Sequence, residues 1–245
     1  MHLHRTRNTV ALLLTALLAS AAVQAQESAN DQLDQCIQKE KMKSALKGSA
    51  LGALAGFGKS LLIDKDKSNK DVAKNVAIGA VAGGAIGLVT AHYQAAGKCF
   101  RKNPSWVPES QLERSKGYEQ AVKDYGYQPK QGTVTAIREL RVANKVQAGQ
   151  KLDIAMSFAA LTPTGAETPV TIERKLFAVE PDGKEVQLPF MGKGSEERVM
   201  EAGEHTDHGS LPIPADGAGT TFRIEYSVSA NKQAPAVRSA LVTVI

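Results

Sequence analysis

The sequence predicts an α+β, two-domain protein, with an N-terminal α-helical hairpin followed by an all-β sandwich. Three observations carry that expectation. Small residues recur at every fourth position from 44 to 60 and again from 79 to 95, the period changes to two after Gly132, and an aromatic-rich connector lies between the two regions. A four-residue period marks one face of a helix, and a two-residue period marks one face of a strand.

The N-terminus sets the compartment. Arg5 and Arg7 precede an apolar run at 10–22, and Val23 and Ala25 occupy the small positions of an Ala-x-Ala-like cleavage site. The run falls short of the roughly 20 apolar residues that span a bilayer. Residues 1–25 therefore read as a secretory signal cut after Ala25, with no cysteine following the cut to carry a lipid. Loss of the two arginines takes the formal charge from +5 to +3. Residues 132–245 carry twelve basic and fourteen acidic side chains. No basic stripe of the kind a nucleic-acid binder shows is present, so nucleic acid is not an expected partner.

Residues 26–100 form the expected hairpin. Its first helix aligns Ser44, Gly48, Gly52, Gly56 and Ser60, and its second aligns Gly79, Gly83, Gly87, Ala91 and Ala95. Glycine inside a helix costs about 1 kcal/mol relative to alanine, so six cost on the order of 5 kcal/mol. Close approach of two helix backbones is the available compensation. The stretch ALAGFGKS, Ala53 to Ser60, fits the loose form of a phosphate-binding loop. Such a loop follows a buried strand, whereas SALKGSALGA has helical small-residue spacing. The pairs Gly48 with Gly87, Gly52 with Gly83 and Gly56 with Gly79 are all symmetric about a polar turn at Lys67–Ser68. So are Cys36 and Cys99, the only two cysteines. An antiparallel hairpin in this register stacks glycine on glycine and sets the cysteines at one level. In an oxidising compartment that placement predicts a disulfide.

GSALGALAG and GAVAGGAIG, either side of a charged turn, resemble the glycine-zipper two-helix (2TM) domains of Gram-negative envelope proteins, including the rickettsial surface-antigen type. The likeness covers roughly residues 44–97. It implies envelope association and self-assembly, and implies no catalysis. The lipid-attachment cysteine of many such proteins is missing here. The longest uncharged run, 76–91, is shorter than a standard span, and Lys59 interrupts the first helix. The expectation is a hairpin that associates with a membrane and with itself, the alternative being a soluble bundle.

In the connector, 101–131, PESQLERSKGYEQAVKDYG reads as a short helix with a proline near its start and Gly126 past its end. The aromatics clustered between Tyr93 and Tyr127 read as a packed junction, or as an interfacial belt.

In 132–245, KLDIAMSFAAL places Leu152, Ile154, Met156, Phe158 and Ala160 on one face, and TFRIEYSV does the same with Phe222, Ile224, Tyr226 and Val228. Turn signals separate segments near 133–142, 150–161, 168–180, 185–190, 197–202, 205–211, 220–230 and 236–245. That strand count fits a sandwich of immunoglobulin size. The region resembles immunoglobulin-like modules of bacterial surface proteins, without the cysteine pair and tryptophan of antibody domains. Fold alone assigns no activity.

EHTDH, Glu204 to His208, offers two histidines and two carboxylates, but metal sites recruit three or four convergent ligands. The segment reads as an exposed loop. Ser195, His205 and Asp207 supply the residue types of a hydrolase triad, without a nucleophile-elbow sequence. No catalytic residue, metal or cofactor is assigned. The reading is an exported, non-enzymatic protein of the periplasm or outer membrane. Its hairpin self-associates in or on a membrane, and its sandwich binds an unidentified envelope protein, in envelope maintenance or as a surface antigen. Alternatives are an oligomeric pore-forming or toxin-like protein and a soluble periplasmic adaptor.

Overall fold

Residue alternation, more than any helix, organises this chain. A computed structural model describes residues 31–44, 85–231 and 233–245. The signal segment and Gly48, Gly52, Gly56, Gly79 and Gly83 lie outside the described residues; Gly87 sits half-buried in a helix.

Two sheets, antiparallel except where β3 runs parallel to β10, stack face to face. The first has the order β1 (Gln111–Gly117), β8 (Gly203–Pro212), β4 (Lys151–Leu161), β2 (Val134–Val142). The second runs β3 (Lys145–Val146), β10 (Ala236–Val244), β9 (Thr221–Ala230), β5 (Thr168–Val179). Its far edge is shared by two short strands. β6 (Glu185–Leu188) pairs with the end of β5, and β7 (Ser195–Met200) pairs with its beginning. The inward rows are those the alternation dictates: Leu152, Ile154, Met156 and Phe158 on β4 meet Ile172 and Leu176 on β5 and Phe222, Ile224 and Val228 on β9.

β4 departs from simple alternation in its second half, where Ser157, Ala159 and Leu161 on the outer face are buried too. The helix α3 (Tyr118–Tyr125) causes this. With Tyr127 it covers that face, and Ala121, Tyr127, Ala159 and Leu161 form a second, smaller core. Gly126 ends α3 in the left-handed conformation, φ 60°. Gly165, φ +73° in the β4–β5 turn, gives room to the Tyr118 ring, which an added Cβ would approach to 3.1 Å. The Tyr118 hydroxyl donates to the Thr162 carbonyl at 2.9 Å.

Two corrections follow. The expected α+β two-domain class, with a free-standing helical hairpin, is overturned: the described chain is mostly strand, and its N-terminal helices belong to the sandwich. α1 (residues 31–44) and α2 (Ala85–Lys102) are joined by a disulfide between Cys36 and Cys99, with Cα atoms 6.0 Å apart. Both helices nevertheless bury their apolar faces in the main core, through Ile37 on α1 and Val89, Tyr93, Ala96 and Phe100 on α2. The last four recur at helical spacing, and the bulk of Val89, Tyr93 and Phe100 is buried in the core that the sandwich shares. Tyr93 stacks edge-on against Phe222 and donates to the Pro212 carbonyl at 2.9 Å. Gly97 makes a close approach, but to a loop. A Cβ there would lie 3.0 Å from Pro189 Cβ. Polar contacts finish the docking, with Lys41 on Asp216 and Lys102 on Glu40.

The second correction concerns the connector. Residues 111–117 form an edge strand rather than the start of a helix, pairing antiparallel with β8 from Gln111 opposite His208 to Gly117 opposite Gly203. Ion pairing favours the sheet here: Arg114 bonds Glu201 and the Ala202 carbonyl across the strand end.

Candidate functional site

The inward row of β5 reads Val170, Ile172, Arg174, Leu176, Ala178. An arginine thus occupies a core position, in phase with aliphatic neighbours. Burying a guanidinium is costly unless it is paired and hydrogen-bonded. Its backbone sits where β5 changes partners from β7 to β6, and its N–H donates to the Gly194 carbonyl at 2.7 Å. The side chain reaches across to the first sheet. Nε and a terminal nitrogen both bond Asp207 Oδ2, at 2.8 and 2.7 Å. The same terminal nitrogen bonds Glu196 Oε1 at 2.6 Å, and the other donates to the Lys193 carbonyl at 2.9 Å. Ser110 donates to Glu196 at 2.7 Å, and Arg198 reaches its second oxygen at 3.1 Å.

The cluster is deeply sheltered: the side chains of Arg174 and Asp207 are 3% and 1% exposed. Burial alone would lower the proton affinity of Arg174, but Asp207 and Glu196 reverse this and raise it. Burial pushes the Asp207 carboxyl up, and Arg174 only partly pulls it back. Burial also opposes ionisation of Glu196, but hydrogen bonds from Ser110 and Arg174 prevail and hold its carboxyl low. The Tyr226 ring lies 5.8 Å from the guanidinium carbon.

This cluster forms part of the wall of a cleft of about 1550 Å³. Leu140, Val142 and Ile154 line it from the first sheet, Arg174 and Tyr226 from the second, and Phe190 from the β6–β7 loop. Arg141, Lys145 and Lys151 stand exposed along it, with Glu109 and Asp153 as counter-charges. The cleft is open to solvent along one side. Its lining mixes polar and apolar surface, with buried polar groups at the wall and charged side chains at the rim.

The residues singled out from sequence are distributed differently. EHTDH is not an exposed loop; it lies within β8. His205 and Asp207 are buried and His208 is exposed. The alternation of a strand separates the two histidines. His205 stacks on Phe158, with centroids 5.7 Å apart, and its Nε2 lies 2.9 Å from the Glu201 carbonyl. Burial lowers its pKa. Asp207 is taken by Arg174, and Ser195 sits in β7 opposite Glu173, so the structure assembles no triad from these residues. Among the described residues, no group of three or more His, Cys, Asp or Glu is placed to hold a metal ion. Also among these residues, no helix is long and apolar enough to cross a membrane. Arg174 was missed, although a charged residue in phase with an apolar strand row is a legible signal of a buried ion cluster.

No family model matches this sequence, and no curated protein matches it either. Solved structures resemble parts of the chain. A Niemann-Pick type C2 protein from the Japanese carpenter ant is 10% identical, with TM-score 0.35, covering 46% of this chain and 93% of that one. The CARDB domain of a Pyrococcus furiosus protein, solved with di-metal ions, is 12% identical, with TM-score 0.32, covering 46% and 90%. A conjugative transposon lipoprotein from Bacteroides eggerthii is 15% identical, with TM-score 0.28, covering 44% and 95%. Likeness at this level carries no functional argument.

Proposed function

We propose that this chain is an exported, non-enzymatic protein of the cell envelope, periplasmic or attached to the outer membrane. Its β-sandwich serves as the module that binds another envelope component, and its small-residue helical segments associate with a membrane or with a second copy. The observation that carries this reading is the Cys36–Cys99 disulfide, which ties α1 to α2. Disulfides persist in oxidising compartments and are rare in a reducing cytosol. Arg5 and Arg7 followed by a short apolar run at 10–22, the pattern of a secretory leader, lie N-terminal to Cys36.

One observation favours the soluble periplasmic adaptor over the pore-forming alternative. Val89 and Thr90 belong to the 76–91 run that would enter a bilayer, yet both are buried, Val89 in the core of the sandwich. A helix that spends its apolar face on a sheet has less to offer lipid.

Cell fractionation tests the proposal. Expression in a Gram-negative host, followed by osmotic release, a carbonate wash and non-reducing gels, is expected to yield leaderless, disulfide-bonded protein in the envelope fractions. Recovery from the periplasmic extract supports the adaptor, and resistance to carbonate supports membrane insertion. Reduced, full-length protein in the cytosol would overturn the reading.

A further inference from the structure

The outer strands of the two sheets differ in how they meet solvent. An open strand edge invites another strand, and charges, bulges and short length discourage it. β1 carries Glu113, Arg114 and Lys116, shifts register between Arg114 and Lys116, and runs straight into α3. β2 carries Arg138, Glu139 and Arg141 and shifts register between Ile137 and Glu139. β6 and β7 are short, and β7 carries Glu196, Glu197 and Arg198. β10 lacks most of these devices. β3 pairs with it only at Thr243 and Val244, and from Val237 to Leu241 no strand bonds its outer edge among the described residues. β2 lies beside it in the other sheet, bonded to β4.

The aim of each backbone group on β10 follows from the bonds around it. β10 pairs with β9 in unbroken register from Ala236 opposite Val228 to Thr243 opposite Thr221. The Val244 N–H donates to the Thr220 carbonyl, towards β9, and the Thr243 N–H donates to the Asn144 carbonyl, away from β9, each at 2.9 Å. These directions alternate along an antiparallel strand. Val237, Ser239 and Leu241 therefore aim their N–H and C=O groups at the open edge. The Val237 and Leu241 side chains stand on the outer face, 55% and 58% exposed. Arg238, on the opposite face and across from Tyr226, is exposed and pairs with no carboxylate among the described residues.

We propose that the open length of β10 takes an added strand from another protein, apolar where it meets Val237 and Leu241 and acidic where it meets Arg238. Main-chain bonds to Val237, Ser239 and Leu241 hold such a strand, and the alternate side chains select it. Charge decides the occupant. Pairing β10 with a second copy of itself about Ser239 would set two Arg238 guanidiniums on one face at diagonal positions, with no carboxylate to answer them. A carboxylate on the incoming strand answers Arg238 directly. The proposal rests on the reading of the sandwich as the module that binds another protein, and adds to it the surface and the chemistry of the partner.

Synthetic peptides test the edge. The full chain, labelled with ¹⁵N, is titrated with acetyl-SVTTEVS-amide. Paired antiparallel, this peptide sets its valines opposite Val237 and Leu241 and its glutamate opposite Arg238. Saturation is expected to slow hydrogen exchange of the Val237, Ser239 and Leu241 amides and to leave those of Arg238 and Ala240, which face β9, unchanged. The lysine version, acetyl-SVTTKVS-amide, should bind about threefold more weakly or worse, the scale of an exposed ion pair. Arg238→Glu should reverse that order. Val237→Lys with Leu241→Lys alters only exposed side chains and should abolish binding in a folded protein. The proposal is overturned if the glutamate peptide gives no saturable change at these amides up to millimolar concentration, if protection falls on β1, β2 or β7 instead, or if the lysine peptide binds as well. Protection of the same amides by raising the protein concentration alone would assign the edge to a second copy and overturn it too. Compartment does not enter the measurement. Failure of the peptide with the protein recovered in the envelope overturns the edge and spares the earlier reading, and cytosolic recovery with peptide binding intact does the reverse.

Discussion

Replacing Arg174 with methionine keeps most of the buried chain length and removes the charge that two carboxylates share. The consequences for the two are unequal. Glu196 keeps its bond from Ser110 and its pair with Arg198. Asp207 keeps no bonded cation among the described residues, and its side chain is 1% exposed. Removing one partner from a buried pair costs about 3–5 kcal/mol, because the other charge is left in a poor solvent. Removing both, in Arg174→Met with Asp207→Leu, is expected to cost far less, since apolar replacement of a buried pair is often close to neutral. Urea denaturation of the parent, the two single variants and the double variant at pH 7 measures the coupling. The pH dependence has a definite sign. Burial already holds the Asp207 carboxyl above its ordinary range, and loss of Arg174 raises it further. A raised folded-state pKa gives stability that is full below the unfolded value and lost as pH rises through the folded one. Arg174→Met should therefore recover part of its loss as pH falls from 7 towards 4. A cost below about 1 kcal/mol, or a double variant no more stable than Arg174→Met, would refute the account of the cluster.

Three further outcomes are expected. Cys36→Ser with Cys99→Ser opens a covalent loop with a sequence separation of 63, worth about 4 kcal/mol by loop-closure entropy, and should lower the urea midpoint and expose α1 to protease. Tyr93→Phe leaves the Pro212 carbonyl without its donor and should cost about 1 kcal/mol in the same assay, with the T-shaped contact to Phe222 kept. Bonds from Lys102 and Lys43 hold the Glu40 carboxyl at about 2, below its ordinary value of 4.5. A lowered folded-state pKa gives stability present above the unfolded value, so the docking of α1 should weaken as pH falls from 4.5 towards 2, read by amide exchange in residues 31–44.

The sandwich was legible because its signal is local. Turn residues bracket runs whose alternation already names the inward row, and β4, β5 and β9 fall within a residue or two of the expected segments. β1 was not legible. QLERSKG contains one apolar residue, so nothing in it alternates, and only its pairing with β8 makes it a strand. The helices were misjudged for a different reason. Glycine spacing dominated the pattern, while Val89, Tyr93, Ala96 and Phe100 formed a second stripe, in which Tyr93 meets Phe222 and Pro212 in strands more than a hundred residues away. Asp207 was hidden in a polar run that resembled a loop. Arg174 was visible in phase with Ile172 and Leu176, but a single strand cannot reveal which carboxylates answer it.

The bond between Cys36 and Cys99 makes everything from one to the other a closed ring, with both feet planted on the same sandwich. A protease that nicks this ring once releases nothing. The two pieces stay one covalent particle until a reductant reaches the sulfurs, so cleavage inside the ring and loss of α1 become separable events with different triggers.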